Sequence, residues 1–254
     1  MELVVLIKQV PDLAEELEID PSGTDLVRDW LSYVASEWDE YALEEALHLR
    51  DEVGGRVTCL ALDTGSVDEL LATCLARGAD AVIKVGAFER IPDSHTAARA
   101  FAAALRTLPC DLVLTGVQAI DDLDGQVGPL LATELGLPHV SVVTHVTIAG
   151  DTATVHQEYA GGLVAEFEVT LPAVLGVQTS REAPRYAPVS RVRQLMKTAE
   201  MGQAEVAVAA GSGLVVEALA VPEAGRAAEM FDGGPAAVAD RIATLLRERG
   251  IVKA

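Results

Sequence analysis

The sequence has little that would support a disulfide framework, a zinc site or a membrane span. Three of its 254 residues are cysteine, and none of them forms a Cys-x-x-Cys pair. We therefore expect Cys59, Cys74 and Cys110 to be reduced core residues. No apolar run is longer than one strand or helix, so we expect no membrane span. Glu2 follows Met1 and leads directly into a strand, which is unlike a signal peptide, and the reduced cysteines predict a cytoplasmic protein.

Positive charge is scarce as well. The chain has 19 lysines and arginines against 39 aspartates and glutamates, a formal net charge of −20. A nucleic-acid backbone would be repelled by such a protein. We therefore expect no nucleic-acid partner, and a protein partner that presents a basic or apolar face.

Motifs for bond cleavage are also missing. There is no GxxxxGK[ST] phosphate loop, no GxSxG elbow and no HExxH helix. Gly211-Ser212-Gly213 lacks the third glycine and the preceding strand of a dinucleotide-binding fingerprint. The histidines are scattered without metal-ligand spacing, at His48, His95, His139, His145 and His156. The sequence thus predicts neither a catalytic residue nor a metal site.

What the sequence does contain is an alternation of short apolar runs with helical patterns. Strands are predicted at residues 3–7, 57–62, 81–85 and 112–114. Helices are predicted from Ser36 to the Gly54-Gly55 stop, at 67–77, at 96–107 and from Val127 to the Gly136 stop. Strands separated by helices of this length make right-handed βαβ units. The expected core is a doubly wound, mostly parallel α/β sheet.

The pattern changes after Pro138. Four β-rich runs, at 140–148, 152–159, 163–169 and 173–177, are separated by turn sequences such as Gly161-Gly162, which predicts added antiparallel hairpins. Residues 179–232 have few apolar blocks and resemble an extended C-terminal arm. A final helix at 235–249 would dock on a partner or on the chain's own sheet. We therefore divide the chain into an α/β domain, 1–178, and a partner-contacting arm with the terminal helix, 179–254.

A nucleotide site is predicted around residues 111–136. A buried strand ends at Gly116, a polar loop follows, and a helix begins near Val127. Gly125 and Gly128 would let the backbone approach a phosphate at the helix start. Three strand ends, carrying residues 8–12, 62–64 and 116–122, converge on the same edge, although an ordinary βα unit remains the simpler reading.

The polar residues near this edge have competing interpretations. Asp121, Asp122 and Asp124 could form an acid–base or Mg²⁺ cluster; we favour Asp124 as the helix cap and a neighbour as acceptor for a ribose or for backbone. Ser36 is a plausible N-cap, with Asp39 in the place of a capping-box acid. Trp38 is either a packing residue at the first turn or a stacking platform for a base.

Several motifs together resemble one known family. They are Lys8-Gln9-Val10-Pro11-Asp12, the helix 39–46, Arg77-Gly78-Ala79-Asp80, residues 116–129, Leu171-Pro172-Ala173-Val174 and Ala183-Pro184-Arg185-Tyr186. In this order, over nearly the whole chain, they resemble the β subunit of electron transfer flavoprotein. The resemblance implies a heterodimer with an α subunit that carries electrons from a flavin dehydrogenase to an acceptor. FAD would be held mostly by the α subunit, and the β domain would bury an adenine nucleotide.

The implied pocket falls on the loops already predicted. Its cofactor-binding residues would be Leu6, Lys8, Ser36, Glu37, Trp38, Asp39, Leu62, Asp63, Gly116, Gln118, Asp121, Asp122, Gly125, Gln126, Val127, Gly128 and Pro129. By the physics of the helix start, the N–H groups of residues 125–128 and the Gln126 side chain would hold phosphate, with Asp121 or Asp122 near the ribose.

Two subtypes of the family share this pocket. One holds AMP as a structural cofactor, and the other holds a second FAD and can bifurcate electrons from NADH. Residues 8–12 and 126–129 resemble the FAD-binding subtype, whereas Asp121-Asp122 resembles the AMP-binding one. The balance favours FAD slightly. Ser36-Glu37-Trp38 also replaces the Asn-Pro-Phe of many members, which would change how the adenine is held.

The partner-recognition segment departs from the family too, because Arg181 stands near the usual apolar anchor. The implied recognition residues are Arg181, Pro184, Arg185 and Tyr186. With Arg191 and Arg193 they form either a basic recognition surface or an ordinary solvated turn. Two other functions stay open: a stand-alone regulatory homodimer that binds AMP or ATP, and a small-molecule enzyme with a titrating group in the crevice.

Overall fold

The computed structural model describes residues 1–208, 215–222, 225 and 228–252. The Gly211-Ser212-Gly213 segment, which was not expected to bind a dinucleotide, lies outside these described residues. The chain divides into two compact units, Met1–Glu217 and Ala218–Ala254. The strands are β1 (Glu2–Leu6), β2 (Gln9–Pro11), β3 (Tyr33–Ala35), β4 (Arg56–Leu62), β5 (Ala81–Val85), β6 (Leu112–Gly116), β7 (His139–Ala149), β8 (Thr152–Tyr159), β9 (Leu163–Thr170), β10 (Ala173–Val177) and β11 (Gly202–Ala204). The helices are α1 (Glu37–Val53), α2 (Asp68–Arg77), α3 (Ser94–Leu105), α4 (Val127–Leu135), α5 (Val189–Thr198) and, in the second unit, α6 (Pro235–Glu248).

One large sheet organises the first unit. Its strand order is β11-β5-β4-β1-β6-β10-β7-β8-β9. Neighbours from β11 to β7 are parallel, and β7–β8 and β8–β9 are antiparallel. The chain builds outward from β1 through β4 to β5 and then returns to β6 on the other side. This confirms the predicted doubly wound, mostly parallel α/β sheet with added antiparallel strands.

The central strands are buried on both faces because nearly all their side chains are apolar. In β1, Leu3 and Val5 belong to the core cluster that includes α1 and α2, while Val4 and Leu6 belong to the cluster that includes α3 and α4. Alternate residues of a strand point to opposite faces, so one apolar run serves both helical layers. The continuous apolar runs of the sequence therefore specify a sheet covered on both sides.

Strand β10 corrects the expectation of a further hairpin strand. It is inserted between β6 and β7 and is parallel to both, with Leu175 opposite Leu114 on one side and Val140 on the other. All five of its residues are buried. A short run without polar alternation is typical of a doubly covered parallel strand. The hairpin prediction is thus confirmed for β7, β8 and β9 and wrong for β10.

The helices end at the predicted glycines. Gly54, Gly78 and Gly136 follow α1, α2 and α4 directly. Gly136 is left-handed, with φ of 68°, and its N–H donates to the carbonyls of Ala132 and Thr133. A non-glycine residue would be strained there, which makes this C-terminal stop readable from sequence.

The sequence did not predict a small second sheet. Strands β2 and β3 pair antiparallel, with Val10 opposite Val34. Each strand has only three residues, too few to show a periodicity. Because this ribbon joins β1 to α1, it helps to place the start of α1 against the end of β1.

Residues 189–204 extend the first unit. Helix α5 packs on α2, with Val192 buried, and β11 adds a parallel strand beside β5. The predicted division at residue 178 concerns the contact with a partner and stays a prediction. In the second unit, α6 carries Pro235 at its first turn, where a missing N–H costs nothing. No helix within the described part of the chain is both long and apolar enough to cross a bilayer.

Candidate functional site

A crevice opens at the carboxyl ends of β1, β4 and β6, where the strand order reverses. Open α/β sheets bind their ligands at this position. The crevice is only partly enclosed: its cavity volume is about 80 Å³, and it continues into open solvent. Of the predicted cofactor residues, those lining it are Leu6, Lys8, Asp39, Leu62, Gly116, Gln118, Asp122, Gly125, Gln126, Val127 and Gly128.

The other predicted residues do not line this space: Ser36, Glu37, Trp38, Asp63, Asp121 and Pro129. The Asp63 carboxylate accepts a hydrogen bond from the Gly65 N–H at 2.9 Å and so shapes the turn after β4. Glu37 faces a separate groove between α1, α2 and residues 184–193. Asp121 reaches the crevice only through Lys8. Ligand contact by any of these residues remains a prediction.

Asp39 links the ends of β1 and β6, the two strands between which the strand order reverses. Its carboxylate accepts hydrogen bonds from the Lys8 N–H and the Gly116 N–H, each at 2.8 Å. The first N–H follows β1 and the second ends β6, so one side chain fixes their separation. This corrects the capping-box prediction: Ser36 stands at the N-cap but makes no side-chain cap bond. Asp39 is turned toward the sheet rather than along its own helix.

The burial of Asp39 has an electrostatic consequence. Only 7% of the residue is exposed. Loss of hydration raises the pKa of its carboxyl to about 7, against the opposing effect of the two backbone hydrogen bonds and the Lys8 charge. Asp39 is therefore a titrating group inside the crevice, of the kind that the sequence alone did not identify.

Lys8 closes one side of the crevice mouth. Its ammonium group donates to Asp121 Oδ1 at 2.6 Å and to Asp122 Oδ2 at 2.7 Å. Burial disfavours the charge on Lys8, but the two carboxylates together outweigh that effect and raise the pKa of the ammonium group. The predicted ribose acceptors thus serve, in this structure, as the counter-ions of Lys8. Pairing also reduces their repulsion toward an anion in the crevice.

Close backbone packing shapes the opposite wall. A Cβ atom on Gly116 would lie 2.5 Å from Asp39 Oδ1, and one on Gly128 would lie 3.0 Å from His139 Nε2. Gly125 has a left-handed φ of 61°. A side chain at Gly116 would collide with Asp39, one at Gly128 would require His139 to shift, and the backbone conformation of Gly125 favours glycine.

The start of α4 has no side-chain cap. Gln126 occupies the N-cap, and its side chain makes no capping hydrogen bond. Asp124, the predicted cap, lies two residues earlier; it accepts from the Gln126 N–H at 3.3 Å and from the Ser94 hydroxyl at 2.8 Å. An uncapped helix start of this kind suits a phosphate, because free N–H groups and the helix dipole both favour an anion.

His139 was not predicted as a site residue. Its Nε2 is buried and has no hydrogen-bond partner among the described residues, and it lies beneath Gly128. Burial lowers its pKa. Ser94, Ala97 and Phe101 of α3 also line the crevice without having been predicted. Nothing in their local sequence marks them, since only the sheet topology brings α3 to this edge.

The predicted recognition residues are partly engaged within the chain. Arg185 donates from its backbone N–H and its side chain to Glu44, and Arg181 pairs with Glu52 and Glu45. Tyr186 is 79% exposed. Arg191 and Arg193 are exposed on α5. Contact between these side chains and a partner protein remains a prediction.

No group of three or more His, Cys, Asp or Glu side chains suited to a metal ion occurs in the described part of the chain. All three cysteines are free thiols, and Cys59 and Cys74 are buried. Burial raises the pKa of Cys110 to about 12. Cys59 and Cys74 are core residues, as predicted, whereas Cys110 is only partly buried beside the second core cluster.

Comparison with known proteins agrees with the geometry. Residues 26–212 match the electron transfer flavoprotein domain. The chain is 31% identical over 262 aligned positions to the electron transfer flavoprotein subunit beta of Methylophilus methylotrophus, with 98% of each chain covered. It is 36% identical over 197 positions to that of Clostridium acetobutylicum, covering 76% of this chain and 74% of the relative. A subunit of the caffeyl-CoA reductase-Etf complex of Acetobacterium woodii, CarD, is 34% identical over 195 positions, covering 76% of this chain and 74% of the relative.

The family match covers β4, β6 and α5 but begins after β1, whereas the alignment with the Methylophilus methylotrophus subunit covers 98% of this chain. On this basis the chain belongs to the family of electron transfer flavoprotein β subunits, which take part in electron transfer and pair with an α subunit.

Proposed function

We propose that the chain carries electrons, as the β subunit of a heterodimer, from a flavin dehydrogenase or NADH to an acceptor through FAD, and that its crevice holds an adenine nucleotide. The nucleotide is a second FAD or AMP. The observation that carries the proposal is the crevice at the β1–β6 switch point, with an uncapped α4 start on one side and Lys8 on the other. The proposed place of action is the cytoplasm.

The residues present fit a nucleotide. Gly116 and Gly128 line the crevice without a side chain, so the ligand would meet backbone there, while the Gly116 N–H is already donated to Asp39. The N–H groups of residues 125–128 and the Gln126 side chain would hold phosphate, and Lys8 would neutralise it. Ala97 and Phe101 of α3 offer an apolar wall to the ligand. When bound, flavin supplies the redox chemistry; the protein supplies position and surroundings.

Asp39 positions this site rather than reacting in it. By holding the Lys8 and Gly116 N–H groups, it fixes the two strand ends between which the ligand would lie. One buried carboxylate therefore connects the two strand ends. Its raised pKa means that the hold is sensitive to pH near neutrality.

The test is to co-express the chain with its candidate α subunit, purify the complex, denature it, and count released flavin and AMP. Two FAD per heterodimer without AMP would support the FAD-binding form, and would direct attention to NADH as donor. One FAD and one AMP would make the β nucleotide structural. A lone homodimer that retains AMP or ATP and no flavin would instead support a regulatory nucleotide binder and overturn the proposal.

A further inference from the structure

The crevice is lined by more acidic than basic side chains. Among the described residues that line it, Lys8 is the only lysine or arginine, whereas Asp39, Asp122 and Asp124 all contribute carboxyl groups. Lys8 is already paired with Asp121 and Asp122, and Asp39 accepts from two backbone N–H groups. Within the described residues, Asp124 is therefore the carboxylate of the crevice that has neither a cation nor a pair of strand-end N–H groups bound to it.

Asp124 is held beside the start of α4. Its Oδ2 accepts a hydrogen bond from the Ser94 hydroxyl at 2.8 Å, and Ser94 at the start of α3 is only 6% exposed. Its Oδ1 accepts from the Gln126 N–H at 3.3 Å. The carboxylate is thus anchored from the α3 side by a buried hydroxyl, and it lies next to the N–H groups that a phosphate would use.

Few free donors remain at this helix start. The first N–H groups of a helix have no acceptor within the helix. In α4 these belong to Val127 and Gly128, because Pro129 has no N–H. The Leu130 N–H already donates to the Gln126 carbonyl. Two neutral donors beside a carboxylate suit a singly charged group better than a doubly charged one, since the repulsion from the carboxylate grows with the charge on the ligand.

The two classes of adenine nucleotide differ in that charge. A terminal phosphate monoester, as in AMP, carries a charge of about −1.5 to −2 at pH 7. A phosphate linked on both sides, as in a nucleic-acid backbone or a pyrophosphate bridge, carries about one negative charge. We propose that Asp124, held by Ser94, is a specificity-determining residue that disfavours a terminal phosphate monoester and thereby favours a nucleotide whose phosphates form a pyrophosphate bridge. The inference rests on the proposed function and adds which class of nucleotide the crevice favours, and by which residue.

The experiment is a calorimetric titration of the nucleotide-free full chain with adenosine, AMP and FAD at low ionic strength. Asp124→Asn removes the charge and keeps an oxygen that can accept from Ser94. AMP is expected to bind this variant about fivefold more tightly than the wild type, FAD about twofold more tightly, and adenosine equally, because the gain follows the ligand charge. Added salt should reduce both gains.

Glu134→Gln is the matched control. It removes one negative charge from the same helix, but at the other end of α4 and outside the crevice. The ratio of AMP affinity to FAD affinity should stay as in the wild type. Circular dichroism shows that both variants fold.

The role of Asp124 is overturned, with the proposed function left standing, if Asp124→Asn binds AMP and FAD in the wild-type ratio, or if adenosine gains as much as AMP. Wild-type chain that binds AMP but not FAD overturns the preference for a pyrophosphate bridge. AMP affinity that rises with added Mg²⁺ and not with Asp124→Asn would assign the charge compensation to a cation instead. Wild-type chain that binds none of the three ligands overturns the nucleotide site itself.

Discussion

The parallel and antiparallel parts of the sheet differ in which side chains they leave exposed to solvent. In the parallel part, β1, β6 and β10 are covered by helices on both faces, and the polar groups gather at the strand ends, where Asp39 and Lys8 lie. In the antiparallel part, β9 is covered on neither side of its tip, and apolar side chains remain outside. The first arrangement leaves a crevice lined by polar groups at the strand ends, and the second leaves apolar side chains exposed at the sheet edge.

The difference follows from connection type. Parallel strands need helical crossovers, which cover the sheet and leave only the strand ends accessible. Hairpins need no crossover, so β8 and β9 extend beyond the layer formed by α1. The crevice and the exposed apolar edge therefore lie on different strands of the same sheet.

The largest expected difference between the parallel and antiparallel parts of the sheet is in how a substitution changes the free energy of unfolding. Leu114→Ala, in fully buried β6, is expected to lower the free energy of unfolding by about 2–5 kcal/mol, because it leaves a cavity. Leu163→Ala, at the exposed tip of β9, should change it by about 0.5 kcal/mol or less. Urea unfolding of the full chain measures both. Similar losses would mean that the tip is already packed in the isolated subunit.

A second contrast lies in pH dependence. The pKa of Asp39 is raised to about 7 in the folded protein, whereas an unfolded aspartate titrates near 3.9. Between these values the folded state holds a proton that the unfolded state has released, so the contribution of Asp39 to the free energy of unfolding falls as pH rises. The expected fall is on the order of 2 kcal/mol from pH 5 to 7.

Asp39→Asn should remove this part of the pH dependence, although it also replaces one of the two acceptor oxygens and lowers stability at every pH. Glu168→Gln, on the exposed hairpin, is the control and should leave the slope as in the wild type. Unfolding free energies at several pH values give the slopes. An unchanged slope in Asp39→Asn would show that the crevice is wetter than its burial indicates.

The smallest expected effect concerns Lys8. Lys8→Gln should weaken AMP binding to the full chain about tenfold, equivalent to ~1.4 kcal/mol, because Asp121 and Asp122 then face the phosphate without their counter-ion. Lys84→Gln removes a lysine of similar exposure that pairs with Asp68 outside the crevice, and AMP affinity should stay within about twofold. Calorimetric titration with AMP distinguishes them. If Lys8→Gln and Lys84→Gln bound AMP with equal affinity, Lys8 would not contribute to nucleotide binding.

Much of the fold was predictable because the signals are local. Continuous apolar runs specify strands covered on both faces, and glycines after α1, α2 and α4 specify helix ends. The convergence of three strand ends also follows from parallel topology, which is how Lys8, Gly116 and Gln126 could be placed in one crevice before the structure was known. Each of these inferences needs only residues that are near one another in sequence.

The tertiary structure alone decided what depends on contacts between distant residues. Strand β10 looks like a hairpin neighbour of β9 in sequence, but it pairs with β6 because the apolar gap between β6 and β7 buries it completely. By its position in the sequence Asp39 looks like a capping residue. In the structure it instead accepts hydrogen bonds from two backbone N–H groups more than thirty residues away in sequence. The sequence by itself determined which segments are strands, helices and turns; packing determined which of them meet, because burial and hydrogen bonding are shared between segments that no local pattern connects.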